Sequence, residues 1–482
     1  MLAPLRLLFV TSTLSVLSLS ALSSAVAAAD KPSVTDVKIT VESGARQTFN
    51  GFGTSIGNWT QGYQKLSPDD RERLAQTMWS DLHFNTLRLW VNLNEFSPTP
   101  GEKTVSEFKA RYIDSGVVAD AKRHGVTTLL LAPENLPPYM AVPTSDGRAL
   151  KADAAEAYAE VVASFIITLR DQAGVVIDVT GLQNEPNDKD HFSDAQLVVI
   201  AKRLRQQLDA GGLKQVRIIG PENGSVDGTF YSAVDALHAD PEAWKALSAI
   251  ASHSYNMGAT ADADRRKDGK EYWMTETSDN GPEVAGDAHR AATLASRYLN
   301  DMNHGVTNWI HFLGFETDDP NDNATRIISL KPDGSGWTAF TKYEYYRQLS
   351  SAFLPGAVFR HSTSSLDGDM TWTYGKKPRL NAACARNADG TWSLGLSNYT
   401  APGFVEQGDS GKWEIDQEGR PATTCAVTVH IDDLAKAGNV TLDVWRSSQS
   451  GMNAAPGQVA MHDGTVTIEV APFELVTLRS IR

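Results

Sequence analysis

The chain is poor in cysteine. Cys384 and Cys425 are the two present in 482 residues, and both lie near the C-terminus. Neither has a nearby histidine to make it a thiol nucleophile. In an exported protein they form one disulfide, or they are two separate buried thiols. No His-x-x-x-His and no clustered Cys/His spacing occurs, so no metal and no other cofactor is expected. Bases are in deficit as well. Lys and Arg number 44 against 58 Asp and Glu, a formal net charge of −14. That balance argues against nucleic acid or an anionic membrane as a partner, and makes a strongly acidic polymer a less natural substrate.

Long apolar runs are missing after the first. Leu7 to Leu22 follows a small basic region at Arg6. The run is too short to span a bilayer, which takes about 20 clean apolar residues. Ala25-Val26-Ala27 and Ala27-Ala28-Ala29 both fit a small-residue cleavage site. Residues 1–29 therefore read as an export signal, and the mature protein as secreted, extracellular or periplasmic. No repeat array and no low-complexity linker is present, and a monomer is favoured.

What the sequence does contain is alternation. Strand-like runs at Thr48–Gly53, Thr86–Val91, Thr127–Ala132, Val175–Leu182, Val216–Gly220, Ile250–Tyr255, Glu271–Thr275 and Thr307–Leu313 are separated by helix formers. "SPDDRERLAQTMW" has a Ser-Pro start with acids in its first turn. "DAAEAYAEVVASFIITLRDQ" and "SDAQLVVIAKRLRQQLDAGG" carry apolar residues at helical spacing. Eight such repeats predict a closed (β/α)₈ barrel over residues 47–340. From residue 341 to 482 short alternating segments with "NADG" and "HDG" turns predict an antiparallel β-sandwich. The strand Val37–Val41, within residues 30–46, has the same texture and is expected to join that sandwich.

In a (β/α)₈ barrel the chemistry sits at the C-terminal strand ends. Five glutamates fall there: Glu134, Glu185, Glu222, Glu276 and Glu316. Pro186 biases Glu185 away from helical geometry and fixes the chain's exit. Glu276 ends the bulky strand "EYWMTE". Strands four and seven face each other across the barrel mouth, so Glu185 and Glu276 can point into one cleft. Two carboxylates across a cleft are what glycosidic cleavage needs: one protonated to release the leaving oxygen, one ionised to attack or direct water. Glu134 and Glu222, both in "PEN" contexts, read as rim or turn residues.

"LQNEP" followed by "WMTE", with "FNGFGTSIGNW" at the first strand and "PPYM" after the third, resembles glycoside hydrolase family 30. That family belongs to the retaining (β/α)₈ clan, and "GFGTSIGNW" is most similar to its endo-β-1,6-galactanase branch. The resemblance implies a barrel with a β-sandwich built partly from the N-terminal strand. It implies Glu185 as general acid/base, Glu276 as nucleophile, and Asn184 as partner of the sugar 2-hydroxyl. Arg88 would lie beside Glu276 and hold it ionised, and Tyr255 would be its polar neighbour. Two departures fall on the sugar-binding rim: Glu134-Asn135 on strand three, and His311 on strand eight where an aromatic is common. Among the aromatics Trp59, Trp90, Tyr139 and Trp309, the sugar platforms expected are Trp59 and Tyr139. His253 and His311 otherwise read as hydrogen-bonded core or rim histidines. The acidic stretches 261–270 and 318–323 read as solvated loops rather than calcium sites.

The expected function is a retaining hydrolase of a β-linked polysaccharide or oligosaccharide, with β-1,6-galactan as leading substrate. Xylanase, β-1,6-glucanase and glucosylceramidase-like activities are the alternatives within the family. The rival from another class is a non-catalytic carbohydrate-binding barrel.

Overall fold

The computed structural model describes residues 33–57, 62–255, 267–283, 288–366, 379–400, 404–407, 412–415 and 422–481. Residues 1–29, expected from the sequence to be an export signal, lie outside these. Among the described residues no helix is long and apolar enough to cross a membrane.

Eight parallel strands close into a barrel. In chain order they are Gly51–Ser55, Phe84–Asn92, Thr128–Glu134, Val179–Gly181, Arg217–Asn223, Ala249–His253, Glu271–Thr277 and Asn308–His311. Strand eight pairs with strand one, Asn308 opposite Gly51, which closes the ring. The strands read as near-continuous apolar runs because both their faces are covered. An inner core of Leu130, Val179, Ile219, Ala249, Ala251, Trp273 and Ile310 fills the barrel. A larger core lies between the strands and the helices.

All eight expected runs are strands, but the fourth is shorter than its apolar stretch. The Asp178 carboxylate accepts the Leu129 N–H at 2.8 Å, which takes over a ladder bond and delays pairing until Val179. The helices start and stop where their caps dictate. Ser67 caps Pro68–Ala75. Ser193 and Gln196 form a reciprocal capping box at the start of Asp194–Ala210. Gly174, at φ +66°, ends Ala155–Ala173.

The β-texture expected from residue 341 begins later. Thr341–Ala352 is a helix, packed on the barrel through Tyr346 against Trp309 and His311. Its Tyr-Glu-Tyr-Tyr-Arg-Gln-Leu run buries one side after another, which period-two reading cannot capture. The β-domain proper is an eleven-stranded sheet around its own core. It is antiparallel except at one place. The N-terminal strand Ser33–Val41 pairs in parallel with Thr423–Ile431, Val37 opposite Val427, and so joins the sheet as expected. Val37, Ile39 and Val41 drop into the core the sheet encloses. Cys384 and Cys425 are buried in that core as two thiols, not a disulfide. Helix His289–Asn303 is buried on nearly every face, and its Ser296 hydroxyl meets Ser397 of the sheet at 3.0 Å.

Candidate active site

The barrel's C-terminal mouth gathers one guanidinium, one imidazole and several carboxyl groups. Arg88 comes from strand two, opposite the inward-facing Leu130. Its side chain is fully buried. Nη1 donates to Glu276 Oε2 at 2.8 Å, and Nη2 donates to Asn184 Oδ1 at 2.7 Å. The same Nη2 lies 3.5 Å from both Glu222 Oε1 and His253 Nε2. Below it, Trp90 presents its ring 4.2 Å from the guanidinium carbon, a cation–π contact.

Glu276 points inward because strand seven breaks its register. Trp273 faces the inner core, so strict alternation would turn Glu276 outward. The pairing with strand eight shifts between Met274 and Thr277, and that with strand six between Ser252 and His253. Such irregularities re-aim a side chain. Glu276 Oε1 then accepts the Tyr255 hydroxyl at 3.0 Å, so both its oxygens are held by donors.

Glu185 takes a conformation its proline neighbour does not predict. Pro186 disfavours the α region and points to extended backbone, yet Glu185 sits at φ +48°. Its N–H bonds the Glu222 carbonyl at 3.1 Å, and its own carbonyl accepts Asp188 N–H at 3.0 Å. Those two bonds hold the turn. Glu222 and Asn135 also lie at positive φ, +66° and +58°. Such strain, on the order of 1 kcal/mol or more each, gathers where strand ends must aim side chains. Space matters too. A Cβ on Gly224 would fall 2.7 Å from Glu185 Oε1.

His253 links the two sides of the cleft. Its Nδ1 is 2.9 Å from Glu185 Oε1 and 3.9 Å from Glu276 Oε1. Burial pushes its pKa down to about 4, so the ring is neutral near pH 7. Arg88 can only donate, so Nε2 accepts and the proton sits on Nδ1, directed at Glu185. One oxygen of Glu185, one of Glu276 and one His253 nitrogen lie within 4.8 Å of one another. Among the described residues this trio could share a metal ion. The bound guanidinium and the proton on Nδ1 both oppose a cation there.

The acids differ in environment. Burial, then the Asp188 charge, pushes Glu185 up to about 7 against the opposing pull of Arg88. Glu134 is also pushed up to about 7, by burial and then by the charge of Glu276. Glu185 thus keeps its proton up to about pH 7 while Glu276 is clamped by two donors. The pair can donate a proton on one side of a bond and attack from the other.

Other sequence readings fare differently. His311, expected at the sugar-binding rim, is fully buried in the core. Its Nε2 meets the Thr325 carbonyl at 3.0 Å and its Nδ1 the Tyr346 hydroxyl at 2.8 Å. It cannot reach a ligand, because helix Thr341–Ala352 covers it. Tyr139 is half-buried, its hydroxyl 2.8 Å from Ser97 Oγ. Trp59 lies outside the described residues, as does most of the acidic stretch 261–270. In 318–323 the Asp318 carboxylate is spent on Asn323 and Ser329. Glu316 lies off the barrel on the small strand Phe315–Thr317 and accepts the Thr317 N–H. Glu222 is no rim residue: it is fully buried beneath Arg88. His253 is the hydrogen-bonded core histidine the sequence suggested, but its contact with Glu185 was not foreseen. Its signal was the i, i+2 pairing with Tyr255 at a strand end.

A family model for glycosyl hydrolase family 59 matches residues 117–343. No curated protein matches the chain in sequence. Solved structures match it nearly end to end. The catalytic domain of family 30 xylanase C from Talaromyces cellulolyticus has a TM-score of 0.67 at 17% identity, covering 92% of this chain and 100% of that one. A family 30 endoxylanase from Clostridium papyrosolvens has a TM-score of 0.63 at 16% identity, covering 93% and 100%. An endo-β-1,6-glucanase has a TM-score of 0.64 at 17% identity, covering 94% of each chain. The fold resemblance is therefore to family 30, whereas the sequence match is to the family 59 model, across the segment that holds both Glu185 and Glu276. The chain carries a glycoside hydrolase fold.

Proposed function

We propose that the protein is a secreted retaining β-glycosidase acting on a polysaccharide or oligosaccharide. Glu276 attacks the anomeric carbon while Glu185 gives its proton to the leaving oxygen. Glu185 then takes a proton from water as the water hydrolyses the glycosyl ester. Asn184 holds the sugar 2-hydroxyl, a role supported by the Arg88 bond at 2.7 Å that fixes its amide. Tyr255 and Arg88 stabilise the carboxylate that Glu276 regains on release.

One observation carries this reading: a proton-holding Glu185 and a doubly clamped Glu276 with oxygens within 4.8 Å. A retaining pair stands about 5–5.5 Å apart, whereas an inverting pair stands about 6.5–9.5 Å apart to admit a water. The leading substrate is a β-1,6-galactan, supported by the first-strand "GFGTSIGNW". Xylan and β-1,6-glucan have support from the fold neighbours.

The test is hydrolysis of aryl β-glycosides and a panel of β-glycans by wild type, Glu276→Gln and Glu185→Gln. Loss of about 10³-fold or more in both variants is expected, with azide restoring Glu185→Gln on activated substrates. A wild type as inactive as its variants on every glycan would favour a carbohydrate-binding barrel instead.

A further inference from the structure

Glu222 is a carboxyl group the proposed reaction does not use. It is the penultimate residue of the fifth barrel strand, with its side chain wholly buried. Its Oε1 lies 3.5 Å from Arg88 Nη2, on the guanidinium whose other nitrogen holds Glu276 at 2.8 Å. Its Oε2 makes no hydrogen bond of good geometry, although the Thr275 hydroxyl lies near enough to the carboxyl group to favour its charged form. Strand four makes room for it: a Cβ on Gly181 would fall 1.6 Å from that oxygen. The other polar groups facing it are His253 from strand six, Thr275 and Glu276 from strand seven, and the Tyr158 hydroxyl from helix Ala155–Ala173. Burial raises its pKa above the ordinary carboxyl range, and the Glu276 charge adds to this, against the pull of Arg88, His253 and the Thr275 hydroxyl.

We propose that Glu222 is a positioning residue that shares the charge of Arg88 with Glu276 and is its anionic partner while Glu276 is tied up as a glycosyl ester. This rests on the retaining reading above. In the first step an electron pair of Glu276 forms the bond to the anomeric carbon. The bond from that carbon to the leaving oxygen breaks, and the proton of Glu185 passes to that oxygen. Negative charge therefore leaves Glu276 and appears on Glu185. Arg88, fully buried, then faces a neutral ester, and an uncompensated buried charge is strongly unfavourable. Glu222 is the buried carboxylate at hand. By offsetting part of the pull of Arg88 it also leaves Glu276 the better nucleophile. Glu222 thus favours the states in which Glu276 has lost its charge.

Glu222→Gln keeps the shape and removes the charge. On a 2,4-dinitrophenyl β-glycoside, kcat/KM reports ester formation and kcat reports ester hydrolysis. We expect kcat/KM to fall about tenfold while kcat is unchanged or higher, so that KM rises. The acid limb of the kcat/KM profile should move to lower pH, since a negative neighbour is gone. Equal losses in both parameters would mean a merely structural residue and overturn the proposal. An unaltered profile would also overturn it, because Glu222 would then hold its proton throughout. Glu222→Leu, which needs no buried hydrogen-bond partner, serves if the amide does not fold. A second readout needs no turnover: carboxyl ¹³C titration of glutamate-labelled protein, with the Glu276 signal identified by its loss in Glu276→Gln. Its titration should move to lower pH in Glu222→Gln, and an unmoved titration overturns the proposal. A moved titration in a protein that hydrolyses no β-glycoside would refute the retaining reading and uphold the shared charge.

Discussion

His253 Nδ1 stands 2.9 Å from Glu185 Oε1, and the Nε2 of the same ring faces Arg88 at 3.5 Å. One neutral imidazole thereby joins the proton-holding carboxyl to the cation that clamps the other. Its hydrogen bond favours the ionised form of Glu185. Its removal should let Glu185 keep its proton to higher pH.

The basic limb of the kcat/KM profile is accordingly expected near pH 7, where Glu185 loses its proton. In His253→Phe that limb should rise by about 0.5–1 pH unit, with kcat down about tenfold. Glu134 is pushed up to about 7 as well, so the assignment needs its own control. Glu134→Gln should leave the basic limb in place. A limb that vanishes in Glu134→Gln would assign the acid to the wrong glutamate.

Raising a carboxyl pKa has a stability consequence. The unfolded chain releases the Glu185 proton near the ordinary carboxyl value, about 4.3. The folded protein releases it near 7. Between these values the unfolded state binds fewer protons, so stability falls as pH rises through that window. Glu185→Gln removes the term. Its Tm should equal that of wild type at pH 4.5 and exceed it by about 1–3 °C at pH 8. Differential scanning calorimetry at the two pH values checks this, and a gap independent of pH would contradict it.

Behind the cleft, Lys342 on helix Thr341–Ala352 is fully buried and bonds Glu283, which follows strand seven. The same ammonium donates to the Ala324 carbonyl. Lys342→Met leaves a buried carboxyl without its cation and should lower stability by about 3–5 kcal/mol. The double variant Lys342→Met with Glu283→Leu should recover most of that loss, since an apolar pair needs no counter-charge. Urea unfolding midpoints distinguish the two. Equal losses in the single and double variants would show that the Ala324 bond, not the ion pair, dominates.

The barrel was legible because parallel strands covered on both faces leave apolar runs, and caps such as Ser193 with Gln196 leave local marks. The N-terminal strand was legible from its alternation, although its parallel pairing with Thr423–Ile431 was not, since period-two texture does not encode direction. At the site, Glu185 and Glu276 stood out through their neighbours Asn184, Pro186 and the bulky strand before Glu276. Three features did not. The inward turn of Glu276 depends on register shifts between strands. The left-handed backbone of Glu185 depends on a bond to Glu222, far away in sequence. The burial of His311 depends on a helix that forms after the barrel strands end. Each is set by contacts between distant segments, which no local pattern records.

The central claim is a two-step displacement through Glu276, and the stereochemistry of the first product tests it most directly. Proton NMR during early hydrolysis of a β-glycan or aryl β-glycoside, before mutarotation, reads the anomer released. With Glu185 and Glu276 oxygens within 4.8 Å, the account predicts the β-anomer, retained from substrate. Initial release of the α-anomer would mean a single inverting displacement and would contradict it.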